Sequence, residues 1–206
     1  MSVRENREVM DEHYYLASLR PSRIREVQAG APSWAQVDII DIESGDGDAV
    51  RTGLERFGIR IRRTHAGQAR HLVAALTENT NAEFLLLLYH GDEGTIVLPQ
   101  LAPEVERYQP FHGRITPDDL RSFARFDGQT VIATGCDTGH PALAQAFLDC
   151  GATAYIAPTG APFGYASYFA PISLFYDLTE QRSLDEAVAR LHQHDAELSM
   201  WQLYRP

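Results

Sequence analysis

Six consecutive residues, Phe84-Leu85-Leu86-Leu87-Leu88-Tyr89, carry no charge and no alternation of apolar with polar side chains. A strand with one wet face alternates with period two, so a run that is apolar throughout has both faces covered. A bilayer span needs about 20 such residues, so this run is too short to cross one. It reads instead as a central strand of a parallel sheet, with helices above and below.

The sequence from Val37 onward supplies the rest of that sheet. Val37 to Ile42 is a β-branched run closed by the turn cluster Ser44-Gly45-Asp46-Gly47. Asp48 to Phe57 has Val50, Leu54 and Phe57 at helical spacing, with Gly58 as its stop. Ile59 to Arg62 alternates and predicts a strand near the sheet edge, and Gly67 to Asn79 predicts a helix. Gly91 to Arg114 reads as irregular, with a hairpin around Thr95-Ile96-Val97-Leu98. Thr116-Pro117-Asp118-Asp119 opens a helix with a cap, a proline at the first position and acids in the first turn. A second buried strand at Thr130 to Thr134 precedes a helix over Pro141 to Asp149 and a strand over Thr153 to Ala157. Helices over Tyr165 to Thr179 and Ser183 to Asp195 follow, the latter opened by a Ser183/Glu186 capping box, and Trp201 to Tyr204 adds a last strand. Alternating units of this kind predict a three-layer α/β sandwich around a mostly parallel, doubly wound sheet. Residues 1–36 differ: charge-rich, broken by Pro21 and Pro32, with Val9, Met10, Tyr14, Leu16 and Leu19 scattered through them. They read as an N-terminal helical arm that packs on the 37–206 domain or meets a protein partner.

Composition removes several functions. All 18 basic residues are Arg, so lysine-based Schiff-base or general-base chemistry and a P-loop are excluded. A net charge of −10 argues against a nucleic-acid partner. The polar start, Met1 to Met10, contains no signal peptide, and a cytoplasmic, thiol-reduced protein without a membrane span is expected. Cys136 and Cys150 lack zinc-ribbon spacing, and a helix between them would hold them roughly 15 Å apart, too far for a disulfide. No metal site and no cofactor is expected.

In doubly wound sheets, ligands sit beyond the carboxyl ends of the strands. The first buried strand ends at Tyr89 and is followed by His90-Gly91-Asp92-Glu93-Gly94; the second ends at Thr134 and is followed by Gly135-Cys136-Asp137-Thr138-Gly139. A thiolate is the attacking species in cysteine chemistry, and an imidazole beside it promotes ionisation and later protonates the leaving group. Cys136 also lies near the start of the next helix, whose dipole would favour a negative sulfur.

These residues resemble the caspase-like fold of clan CD cysteine peptidases, in which the His precedes the Cys by about 50 residues. Cys136-Asp137-Thr138-Gly139 is similar to the Cys-x-Thr-Gly of the bacterial CHAT branch. Cys150-Gly151-Ala152-Thr153-Ala154-Tyr155-Ile156 resembles a segment of gingipain-like and CHAT members, and Ser183 to Ala187 their late amphipathic helix. Gly135 departs from the Ala of caspases, and the Gln before it is missing. The resemblance implies a peptide or protein substrate and a Cys136–His90 dyad that works through a thioester acyl-enzyme. It further implies an oxyanion hole of the Gly91 and Cys136 N–H groups.

Asp92, Glu93 and Asp137 crowd the expected site and, with Thr159 from the loop after the next strand, could receive a basic substrate side chain. Cys150 reads as a structural thiol inside a helix. His13, His65, His71 and His112 read as surface residues, His140 as a packing or capping residue, and His192/His194 point apart on a helix. Phe163, Tyr165, Tyr168, Phe169, Phe175 and Tyr176 read as helix core, the first members alternatively as a pocket wall. The rival function is a catalytically inactive caspase-like module in a bacterial signalling or defence assembly. A glutamine-amidotransferase-like hydrolase needs Cys before His, and the order here is the reverse.

Overall fold

The computed structural model describes residues 36–78 and 80–206. The helical arm expected in residues 1–36 therefore lies, except for Gln36, outside the described residues. Gln36 itself already belongs to the first strand.

Six strands form the main sheet: β1 (Gln36–Ile42), β2 (Arg60–His65), β3 (Phe84–Tyr89), β7 (Thr130–Ala133), β8 (Ala154–Pro158) and β9 (Trp201–Tyr204). Their order is β2-β1-β3-β7-β8-β9, parallel throughout except for the β8–β9 pair. The chain winds outward from β1 to β2, then returns to build β3, β7 and β8 on the other side, which is the doubly wound pattern. The irregular stretch after β3 holds a small second sheet of β4 (Gly91–Asp92), β5 (Thr95–Val97) and β6 (Arg114–Ile115). Its first two strands form the expected hairpin. A two-residue turn, Glu93 (φ 46°) and Gly94 (φ 72°), joins them. Both central residues sit in the left-handed region, as the twist-matched type I′ turn requires.

Helices cover both faces. On one lie α2 (Ala69–Thr77), α4 (Pro117–Phe123) and α5 (Pro141–Asp149); on the other lie α1 (Gly47–Glu55), α6 (Gly164–Thr179) and α7 (Leu184–Leu191). A one-turn helix, α3 (Pro103–Glu106), sits in the connection from β5 to β6. The six-residue apolar run divides as its pattern demands: Leu85, Leu87 and Tyr89 enter one core, and Phe84, Leu86 and Leu88 the other. Every residue of β3 is buried. By contrast β2, at the edge, has only exposed and half-buried positions. Reciprocal capping boxes open α4 (Thr116 with Asp119) and α7 (Ser183 with Glu186), so two orphan N–H donors are satisfied at each start. Among the described residues no helix is long and apolar enough to cross a membrane.

Candidate active site

The β3–β7 register pairs Phe84 with Thr130, Leu85 with Val131, Leu86 with Ile132 and Leu87 with Ala133, a constant offset of 46. The Thr134 N–H carries the ladder one step further by donating to Leu87 C=O at 3.1 Å. The same number of residues separates His90, just after β3, from Cys136, three residues past the end of β7. Contact between the loops is direct. A Cβ on Gly91 would overlap the Cys136 carbonyl oxygen and the Thr138 methyl, so only glycine lets the β3 end approach the Cys136 loop this closely. Gly91 faces Ile96 across the hairpin, and Val97 N–H donates to His90 C=O at 2.8 Å. That is the wide pairing of an antiparallel ladder, so the Gly91 N–H is not spent on β5.

The loop that carries Cys136 is tied down from several sides. Thr138 N–H and Oγ1 both donate to Gly135 C=O, at 3.3 and 2.6 Å. Asp137 N–H donates to Gly160 C=O at 2.8 Å, Gly139 N–H to Pro158 C=O at 2.7 Å, and His140 N–H to Asp137 C=O at 3.2 Å. Two tyrosine hydroxyls hold the carbonyls: the buried Tyr155 Oη donates to Thr138 C=O at 2.9 Å, and the partly buried Tyr204 Oη donates to Gly139 C=O. Every N–H from Asp137 to His140 is thus engaged, whereas the Cys136 N–H interacts with its own sulfur. The Thr and Gly of the Cys-x-Thr-Gly run have local structural reasons to be there. Tyr155 and Tyr204 carry no signal in the linear sequence, because their partners are brought to them only by strand pairing.

Electrostatics correct one expectation. Burial pushes the half-buried Cys136 thiol above its ordinary value, and the negative charges of Asp137 and Asp92 push it further; its own backbone N–H offsets only part. The helix dipole does not rescue the thiolate. Helix α5 is capped by His140, whose Nδ1 accepts from Ala142 N–H at 3.3 Å, and Cys136 stands four residues ahead of that cap. The dipole effect is confined to the first turn. His140 thus takes the capping role expected of it. Among the described residues, no hydrogen bond joins the exposed His90 ring to the Cys136 sulfur.

Three of the four candidate substrate residues meet. Glu93, Asp137 and Thr159 line an open cleft of about 500 Å³ with Gly139, His140, Pro141 and Tyr204. Asp92 does not line it; exposed on β4, it sits 3.6 Å from Arg114 and acts on Cys136 through its charge. Cys150 is not inside a helix but is the C-cap of α5, half-buried against the core, with Sγ 3.8 Å from Leu120 C=O. Both cysteines are free thiols. His65, His71 and His112 are exposed, as expected; His13 lies outside the described residues. The aromatic group divides against expectation. Only Phe175 is fully buried, while Phe163, Tyr165, Tyr168, Phe169 and Tyr176 are exposed, because they lie on the outward side of α6. None of them lines the cleft.

No protein-family model and no curated protein sequence matches the chain. Solved structures do. The Arg-specific cysteine proteinase gingipain R aligns with 84% of this chain at a TM-score of 0.55 and 13% identity, and the Saccharomyces cerevisiae separase–securin complex with 87% at 0.50 and 10%. A CheY-like receiver domain from Methanospirillum hungatei aligns more weakly, at a TM-score of 0.40. The chain spans 46% of the gingipain R chain and 13% of the separase-complex chain that it matches. At these identities the likeness is one of fold, and the chain has the mostly parallel, helix-flanked α/β architecture of the caspase-like proteins.

Proposed function

We propose that this chain is a cysteine endopeptidase that uses Cys136 and His90. The observation that carries the reading is that β3 and β7 pair side by side and the loop after β3 touches the Cys136 loop, with Gly91 packed on the Cys136 carbonyl. Cys136 Sγ, its proton passed to His90, attacks the scissile carbonyl carbon. The C–N bond breaks as His90 protonates the leaving amine, giving a thioester. Water, relieved of a proton by His90, then attacks the thioester, and the acid product leaves with Cys136 restored as a thiol. The N–H groups of Gly91 and Cys136, neither engaged in the loop or hairpin ladder, are the donors for the oxyanion. Glu93 and Asp137, with Thr159 beside them and Asp92 adding negative potential nearby, suit a basic side chain entering the cleft.

An acyl-type thiol inhibitor should label Cys136 faster than Cys150 in the same molecule, and Cys136→Ala should abolish cleavage of any peptide with Arg or Lys before the scissile bond. Equal labelling of the two thiols overturns the proposal. A second reading, a catalytically inactive module that binds other proteins, is favoured by the raised Cys136 thiol and the missing His90–Cys136 hydrogen bond. It predicts no cleavage of any peptide in such a panel, and no change on Cys136→Ala.

A further inference from the structure

Strand β9 reaches the Cys136 loop although another strand stands in between. In the sheet it pairs with β8, which separates it from β7. Two of its side chains nevertheless extend past β8 to carbonyls at the end of β7 and beyond. Trp201 Nε1 donates to Ala133 C=O at 3.1 Å, and Tyr204 Oη donates to Gly139 C=O. Ala133 and Gly139 stand three residues before and three residues after Cys136. The two side chains travel on opposite faces of the sheet. Trp201 is fully buried in the core beneath α1, α6 and α7, whereas Tyr204 packs against the core on the other side. Strand β9 thus straddles β8 and holds the cysteine loop at both ends.

Backbone chemistry explains why an indole is needed at the first of these points. Thr134 N–H donates to Leu87 C=O on β3, so the Ala133 carbonyl, across the same trans peptide, points toward β8. The β7–β8 register pairs Val131 with Tyr155 and Ile132 with Ile156, which sets Ala133 level with Ala157. In a parallel ladder the donor to that carbonyl is the N–H one residue further on, at position 158. Position 158 is proline, which has no N–H. A buried carbonyl without a donor is costly. Trp201, directly opposite Pro158 on β9, supplies the missing one. Ladder pairing of β7 with β8 stops at Ile132 and Ile156, and beyond it the Cys136 loop bonds the chain after β8 instead. Gly139 N–H donates to Pro158 C=O at 2.7 Å and Asp137 N–H to Gly160 C=O at 2.8 Å. That chain is fixed in turn by the residue before β9, since Met200 C=O accepts from Thr159 N–H at 2.9 Å and from Thr159 Oγ1 at 3.2 Å.

We propose that Trp201, together with Tyr204, is a positioning residue for Cys136. The two side chains fix the carbonyls on either side of the cysteine, and with them the place of its thiol and N–H against Gly91 and His90. Trp201, wholly inside the core, acts on the site only through Ala133. This role rests on the peptidase reading only in taking Cys136 as the reacting thiol.

The test reads two quantities in the full chain: amide hydrogen exchange over residues 134–140, followed by mass spectrometry, and the rate at which an acyl-type thiol inhibitor labels Cys136. Tyr204→Phe removes one hydroxyl from a partly buried ring, and Trp201→Phe removes the indole N–H. Each variant should speed exchange over 134–140 about fivefold, the change in local opening that one hydrogen bond controls, and leave α2 and α4 as they were. Inhibitor labelling of Cys136 should slow by a similar factor. Pro158→Ala returns an N–H to position 158. Added to Trp201→Phe, it should restore both quantities, a rescue that lost core packing would not show. If Trp201→Phe does not fold, the proposal stands or falls on Tyr204→Phe. Unchanged exchange over 134–140, exchange raised equally throughout the molecule, raised exchange with undiminished labelling, or no rescue by Pro158→Ala overturns the proposal. Failure of the peptidase reading looks different: the native chain then labels Cys136 no faster than Cys150, and exchange alone decides whether β9 holds the loop.

Discussion

At the residue scale, the site turns on three residues, Gly91, Asp137 and Cys136, that differ in how they are held. Gly91 has no room for a methyl group, because the Cys136 carbonyl and the Thr138 methyl already occupy its Cβ position. Gly91→Ala should cost about 1–3 kcal/mol of stability by overpacking and slow inhibitor labelling of Cys136 relative to Cys150; a thermal melt and the labelling ratio check both. Asp137 sits in the left-handed region at φ 55°, a conformation that Asn also tolerates. Asp137→Asn therefore removes charge without changing the loop. The thiol of Cys136 is raised by burial first and by Asp137 second, so it is largely protonated at neutral pH and its alkylation should accelerate on the alkaline side. The variant should shift that profile to lower pH at Cys136 and leave Cys150 unchanged, as iodoacetamide rates between neutral and alkaline pH will show. The residue types of the proposed Cys136–His90 pair were legible in the linear sequence. The sign of the Cys136 shift was not, because it depends on which loop groups surround the sulfur rather than on its distance from a helix.

At the scale of elements, local chemistry and local pattern agreed for most of the chain. The Thr116 box is an example: Thr116 Oγ1 accepts from Asp119 N–H at 3.2 Å and Asp119 Oδ2 accepts from Thr116 N–H at 2.9 Å, both within four residues of sequence. Thr116→Ala should destabilise the fold by about 1 kcal/mol, read as a shift of the denaturation midpoint at constant slope. Helix α6 shows where such reading stops. Its apolar residues run round the whole circumference, so periodicity cannot say which arc faces the sheet, and five of the six aromatics expected inside or at a pocket lie outside. Cys150 was misplaced by one turn of logic of the same kind, since α5 ends at Asp149 and the cysteine closes it as the cap.

At the scale of the whole molecule, the edge strand β2 is fastened to β1 by charge. Asp41, buried on β1, accepts from Ser44 N–H and Oγ at 3.1 and 2.8 Å and from Arg63 Nη2 at 2.6 Å. Burial alone would raise this carboxyl, but the hydrogen bonds from Arg63 and Ser44 and the Arg63 charge hold it below its ordinary 3.8. A carboxyl lowered by folding contributes stability that is complete above its unfolded value and is lost as pH falls through the folded one. Acid unfolding of the native chain should therefore steepen below about pH 3.8, and Asp41→Asn should flatten that limb while lowering stability at neutral pH. Denaturant titrations at several pH values measure both.

The sequence by itself determined the layered α/β class, the buried strands and the two loops that bear His90 and Cys136. These follow from periodicity, turn chemistry and caps, all of which act over a few residues. Tertiary structure alone decided that β3 and β7 pair, that Gly91 packs on the Cys136 loop, and that Tyr155 and Tyr204 grip that loop. It also decided that acid surrounds the thiol and that the aromatics of α6 face outward. Each of these depends on groups far apart in the chain, whose proximity arises only when strands pair and helices choose a face.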